Sequence, residues 1–114
     1  MEALSIERRD EGAVAVLAVV GIVDMGTSAA FETALSKAVA EGRTRIVLSL
    51  AGVSLMGSSG WGAVLALAKK LRDSGGNVAF AALSPPLKSV YQMLAMEGLV
   101  ASYETEREAV GALS

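Results

Sequence analysis

Three runs of the chain are apolar on nearly every residue rather than on alternate ones: 13–20 (AVAVLAVV), 45–50 (RIVLSL) and 77–83 (NVAFAAL). A strand that alternates buries one face, whereas a continuous apolar run buries both, which requires cover above and below. Segments with helical spacing follow each run. Phe31, Leu35, Ala38 and Val39 share one helical face before Gly42, and Val64, Leu67, Ala68 and Leu71 share another over about 59–72. A third helix opens at Ser84, Pro85 and Pro86, lines its inner face with Leu87, Val90, Tyr91 and Leu94, and closes at Gly98. Strand–helix alternation of this kind forces a mostly parallel sheet.

The flanks complete the pattern. Leu4 and Ile6 alternate with polar neighbours as a short edge strand would, residues 9–12 (RDEG) make a turn, and these precede the first apolar run as a hairpin. Thr27 or Ser28 caps the first helix, and residues 51–59 form the loop before the second. Residues 99–103 form a last strand, and Thr105 with Glu108 is a capping box for a final helix. The expected order is β-β-α-β-α-β-α-β-α: an α/β fold in one domain spanning 1–114, with a mixed, mostly parallel sheet, an initial β-hairpin and about four covering helices.

Composition narrows the chemistry. The chain has neither cysteine nor histidine, so thiolate chemistry, disulfides and the commonest general base are all missing. The net charge of −2, with scattered Lys and Arg, gives no basic stripe for nucleic acid. The longest apolar run, 13–23, is broken only by Gly21 and falls short of the roughly 20 residues that span a bilayer. No signal-peptide pattern opens the chain, so a cytoplasmic protein with no membrane insertion is expected.

The segment 54–64 (SLMGSSGWGAV) places Ser58 and Ser59 between glycines at a strand-to-helix junction. A nucleophile elbow fails there, because Met56 precedes Ser58 and Trp61 follows Ser59 where glycines are needed. A phosphate-binding loop fails because Ala63 stands where lysine belongs. The three aspartates, Asp10, Asp24 and Asp73, lie far apart, so no metal site and no cofactor are expected, and the chain reads as a non-enzyme. Two readings of the serine pair remain. A serine side chain caps the helix, which contributes about 1 kcal/mol, or the hydroxyl accepts a phosphate that the helix N-terminus stabilises.

Residues 53–99 (VSLMGSSGWGAVLALAKKLRDSGGNVAFAALSPPLKSVYQMLAMEGL) resemble the central and C-terminal part of a STAS domain, in particular the anti-sigma factor antagonists. That family runs strand, apolar-Asp-Ser-Ser/Thr-Gly turn, helix, Gly-Gly, strand, then a helix opening near Ser-Pro. Residues 21–31 (GIVDMGTSAAF) are similar to its Gly-Glu-apolar-Asp segment, with Asp24 on the family's aspartate. The resemblance implies a STAS-like fold and a protein that binds an anti-sigma factor serine kinase. In its unphosphorylated form it captures that kinase and frees the sigma factor. The kinase then phosphorylates the first serine of the pair, here Ser58, and a phosphatase resets it.

The implied docking rim comprises Asp24, Met25, Thr27, Met56, Gly57, Ser59, Gly60 and Trp61. Trp61 reads equally as core or as an exposed anchor, and the two methionines as core filler or as an adaptable apolar rim. Two positions depart from the family: Gly57 replaces its acidic residue before the serine, and Ile22 its glutamate. Both lower the negative charge of the rim. The alternative reading is an adaptor of the same fold that is not phosphorylated, such as the STAS subunit of a lipid transporter or a signalling scaffold. The oligomeric state is not encoded in any of these features.

Overall fold

The computed structural model describes residues 4–114. Its elements run β1 (Ser5–Glu11), β2 (Val14–Val23), α1 (Ser28–Ala40), β3 (Arg45–Met56), α2 (Ser58–Asp73), β4 (Asn77–Ala81), α3 (Pro85–Met93), a 3-10 turn (Met96–Gly98), β5 (Ala101–Tyr103) and α4 (Glu106–Leu113). The five strands form one sheet in sequence order; β1 and β2 are antiparallel and the other pairs parallel. The alternation read from the sequence therefore has the expected outcome.

β2 shows why its run is continuous. Ala15, Leu17, Val19 and Val23 face the main core beneath α1, α2 and α3, where Phe31, Leu35, Trp61, Val64, Leu71, Leu87 and Tyr91 meet them. Val14 and Val16 face the other side, where they join Val47, Ala79 and Ala81 under Ala109 and Leu113 of α4. Each face needs its own apolar set, so the strand cannot alternate.

The turn expected at 9–12 lies further on. β1 continues to Glu11, which pairs with Val14, and leaves a two-residue connection in which Gly12 has φ +61°. The charged run stays in the strand because β1 is an edge, where its side chains find partners. Arg8 pairs with Asp10 and Glu41, Arg43 with Asp10, and Arg9 with Glu11 and Glu106. Such charges also deter another chain from pairing with the free edge.

Residues 51–56, expected as loop, are strand. β3 pairs with β2 to the end, but the partners step from Ala18↔Ser49 to Val20↔Gly52 and from Gly21↔Val53 to Ile22↔Leu55. Each step adds one residue to β3, so its core-facing positions are Ile46, Leu48, Leu50, Val53 and Met56. Two bulges convert a period of two into steps of three, which hides the strand from a reading by alternation. Gly52 sits at the first bulge, where an added Cβ would lie 2.8 Å from Cγ2 of Val20.

α1 ends as expected at Gly42, with φ +86° and hydrogen bonds from its N–H to the Val39 carbonyl and from Arg43 N–H to the Ala38 carbonyl. α3 stops at Met93 rather than running to Gly98. Ala95 takes a left-handed φ of +52°, and Met96, not Leu94, fills the core beyond it. β4 stops at Ala81, because Ala82 takes φ +58°; its N–H still donates to the carbonyl of Tyr103 at the end of β5. Among the described residues no helix is long and apolar enough to cross a membrane.

Candidate functional site

β2 and β3 run parallel, so their C-terminal ends and the loops that follow share one rim of the sheet. Val23 pairs with Met56, and Gly57 N–H donates to the Val23 carbonyl at 2.8 Å. The β2–α1 loop with Asp24 is thereby brought against the β3–α2 junction with Ser58.

The junction corrects the capping reading. α2 begins at Ser58, one residue earlier than expected, and its N-cap is Gly57, which has no side chain to offer. The Gly57 carbonyl accepts from the N–H groups of Gly60 and Trp61. Ser58 and Ser59 are thus the first and second helical residues, where a hydroxyl cannot reach forward to the amides that an N-cap serves. Ser58 is exposed and its side chain makes no hydrogen bond among the described residues; Ser59 is half-buried. Gly57 itself is in extended backbone (φ −80°, ψ 176°), and a Cβ there would sit 3.6 Å from the nearest atom, the Val23 carbonyl oxygen. Neither backbone nor packing demands glycine at this position.

Trp61, Met56 and Gly60 do not belong to the exposed rim. Trp61 is 3% exposed; its indole N–H donates to the Met56 carbonyl at 2.9 Å, and its ring meets Phe80 edge-on at 5.6 Å. Met56 is buried, and Gly60 is packed so closely that a Cβ would lie 2.7 Å from Met56 Cγ and 2.8 Å from Val23 Cγ1. The first turn of α2 lies flat on the main core, so alternate sides of that turn divide into floor and surface. Met56, Gly60 and Trp61 are the floor; Ser58 is the surface.

Thr27 occupies the N-cap position of α1 without making a side-chain cap bond, and Ser28 is already helical. Instead the Thr27 hydroxyl turns back, donating to the Ile22 carbonyl at 2.8 Å and accepting from Asp24 N–H at 2.9 Å. Asp24 Oδ1 accepts in turn from the N–H groups of Gly26 and Thr27, at 2.9 and 3.1 Å. Met25 stands between them, 91% exposed.

On the sheet, the sequence reading missed the exposed apolar side chains of Val20 and Leu55. Val20 and Leu55 are 52% and 53% exposed and belong to the paired segments of β2 and β3 that α4 does not cover. The signal was present in the spacing of 53–56, where only Val53 and Met56 fit an inward step of three. Among the described residues no three acidic, histidine or cysteine side chains come together as a metal ion would need.

Against known proteins, a family model described as STAS domain matches residues 5–109. The anti-sigma-F factor antagonist RsfB of Mycobacterium tuberculosis is 33% identical over 73 residues, which is 64% of this chain and 60% of RsfB; the chain thus matches well under two thirds of that relative's length. An anti-sigma factor antagonist from Mycobacterium paratuberculosis superposes with a TM-score of 0.89 at 26% identity, over 97% of this chain and 94% of that one. The Bacillus cell fate determinant SpoIIAA, in its phosphorylated form, gives a TM-score of 0.74 at 25% identity over 98% and 100% of the two chains.

Proposed function

The chain belongs to the STAS domain family, and from that premise we propose that it is an anti-sigma factor antagonist switched by phosphorylation of Ser58. The observation that carries this reading is the Ser58 hydroxyl: exposed, at the first position of α2, and without a hydrogen bond to give up among the described residues. The names of RsfB and of the Mycobacterium paratuberculosis protein support the antagonist role.

In the unphosphorylated state, the surface around Asp24, Met25, Thr27, Gly57 and Ser59 docks an anti-sigma factor that is also a serine kinase. Within that complex the Ser58 oxygen attacks the γ-phosphorus of ATP, the serine proton is lost, and ADP leaves. The new phosphate brings about −1.5 to −2 charges. It sits at the positive end of α2, which favours the modified chain. The same charge must be stripped of water to re-enter the interface, so rebinding is opposed. A phosphatase hydrolyses the ester and restores the hydroxyl. The chain is a substrate and a switch in this cycle, and its own residues perform no chemistry beyond presenting the nucleophile.

The test is to mix the chain with each anti-sigma factor of the source organism, purified singly, with ATP, and to read intact mass and complex formation. One phosphate is expected, absent in Ser58→Ala, together with dissociation. A factor that binds tightly yet never adds phosphate would sink the switch. That outcome selects the second reading, an adaptor that is not phosphorylated, such as a lipid-transporter subunit or scaffold. Gly57 favours this alternative, because the acidic residue the family places before the serine is absent although the site has room for it.

A further inference from the structure

Asp24 lies on the rim that the proposed antagonist uses, and its carboxylate could serve in two ways: as a charge presented to the partner, or as an internal brace. The hydrogen bonds favour the brace. Oδ1 accepts from two amides of its own loop, Gly26 and Thr27. The Asp24 N–H is held by the Thr27 hydroxyl, which is anchored on the Ile22 carbonyl at the end of β2. The Asp24 carbonyl accepts from Ser28 N–H at 2.8 Å, which ties the same loop to the start of α1. Side chain, amide and carbonyl of Asp24 are thus all engaged in closing a four-residue loop.

At the tip of that closed loop stands Met25, among the most exposed large apolar side chains of the described residues. A mobile loop could fold such a side chain onto the surface; this loop is fixed on both sides of it. Holding an apolar group in water on a rigid support removes the ordering cost from a later binding step. The thioether chain itself adapts to the pocket that receives it. Ser58 is close at hand: Gly57 N–H bonds the Val23 carbonyl, and a Cβ on Gly57 would lie 4.0 Å from Asp24 Cα. A phosphate on Ser58 therefore adds its charge next to the backbone of the loop that carries Met25.

We infer that Asp24 and Thr27 are positioning residues and that Met25, which they hold out, is the apolar anchor by which this chain grips an anti-sigma factor. The inference rests on the antagonist reading above. Its test measures affinity for whichever purified anti-sigma factor binds the wild-type chain, together with amide hydrogen exchange at Gly26 and Thr27 in the free protein. Met25→Ala is expected to weaken binding about tenfold or more, with melting temperature and loop exchange unchanged, and Met25→Leu to recover most of the loss. Asp24→Ala and Thr27→Val are expected to speed exchange at both amides and to weaken binding. Asp24→Asn, which keeps the acceptor oxygen and removes the charge, is expected to restore both.

Equal binding by Met25→Ala and wild type overturns the anchor. Loss of binding in Asp24→Asn with slow, native-like exchange overturns the brace, because the charge is then the contact. If no factor binds the wild-type chain, the antagonist reading and the anchor fall together. In that case unchanged exchange in Asp24→Ala overturns the brace independently.

Discussion

Two helices of this chain start in opposite ways. α4 begins with everything engaged: the Thr105 hydroxyl accepts from Glu108 N–H at 3.1 Å, and the first helical residue, Glu106, is bonded by the buried Ser49 hydroxyl and by Arg9 at 2.7 Å. α2 begins with a glycine cap, and its first helical residue, Ser58, has a side chain that makes no hydrogen bond among the described residues. The α4 start is built to hold a short helix on the sheet's second face. The α2 start gets no such help and is held from beneath, by Trp61 and Met56. A helix supported by packing can leave its first turn chemically open, and the open turn is the one beside the proposed docking surface.

The strongest way to break this contrast is to remove the packing. Trp61→Ala deletes the indole bond to Met56 and the edge-on contact with Phe80, and should cost about 3–5 kcal/mol in urea unfolding. A cost under about 1 kcal/mol would mean that the start of α2 is held by something else. Next in size is Glu106→Ala, which leaves the buried Ser49 hydroxyl without its partner and should cost about 1–3 kcal/mol at neutral pH.

The same group makes stability depend on pH. The Ser49 hydrogen bond, and then Arg9, hold the Glu106 carboxyl below its ordinary value. Its contribution is therefore complete above the unfolded carboxylate value of about 4.3 and drains away as pH falls through the lower folded value. The urea midpoint of the wild type should drop over that acid range by more than that of Glu106→Ala; parallel drops would remove the assignment.

Paired cap deletions sharpen the comparison. Thr105→Ala should cost about 1 kcal/mol, whereas Ser58→Ala should stay within about 0.5 kcal/mol of wild type. A Ser58→Ala loss as large as that of Thr105→Ala would restore the capping reading. The smallest effect is Gly57→Asp, which gives α2 the side-chain cap it lacks and should add a few tenths of a kcal/mol. Destabilisation there would show that the added carboxylate is repelled by the nearby Asp24.

How far each feature could be read depended on whether its cause was local. The stop of α1 at Gly42 and the Thr105 cap were legible because each depends on a few neighbouring residues, whereas the charged run 9–11 was read as a turn because its place on the sheet edge is not a local property. The end of β3 was not legible either, because the two bulges answer to β2, not to the sequence of β3. The turn at Ser58 was singled out from its serines and flanking glycines, yet Trp61 was left open between core and surface. An aromatic at the start of a helix fits either side, and only the position of Phe80 across the main core decides it.

By itself, then, the sequence determined the alternation of strands and helices, since apolar period and turn residues are properties of the local chain. It also excluded histidine and cysteine chemistry, and it put two serines at a strand-to-helix junction. The tertiary structure alone decided which of those features face water. It sank Trp61, Met56 and Gly60 into the floor, turned the Thr27 hydroxyl back to Ile22, and left Ser58 and Met25 outside. Exposure is set by what packs against a residue from distant parts of the chain, and no local pattern carries that information.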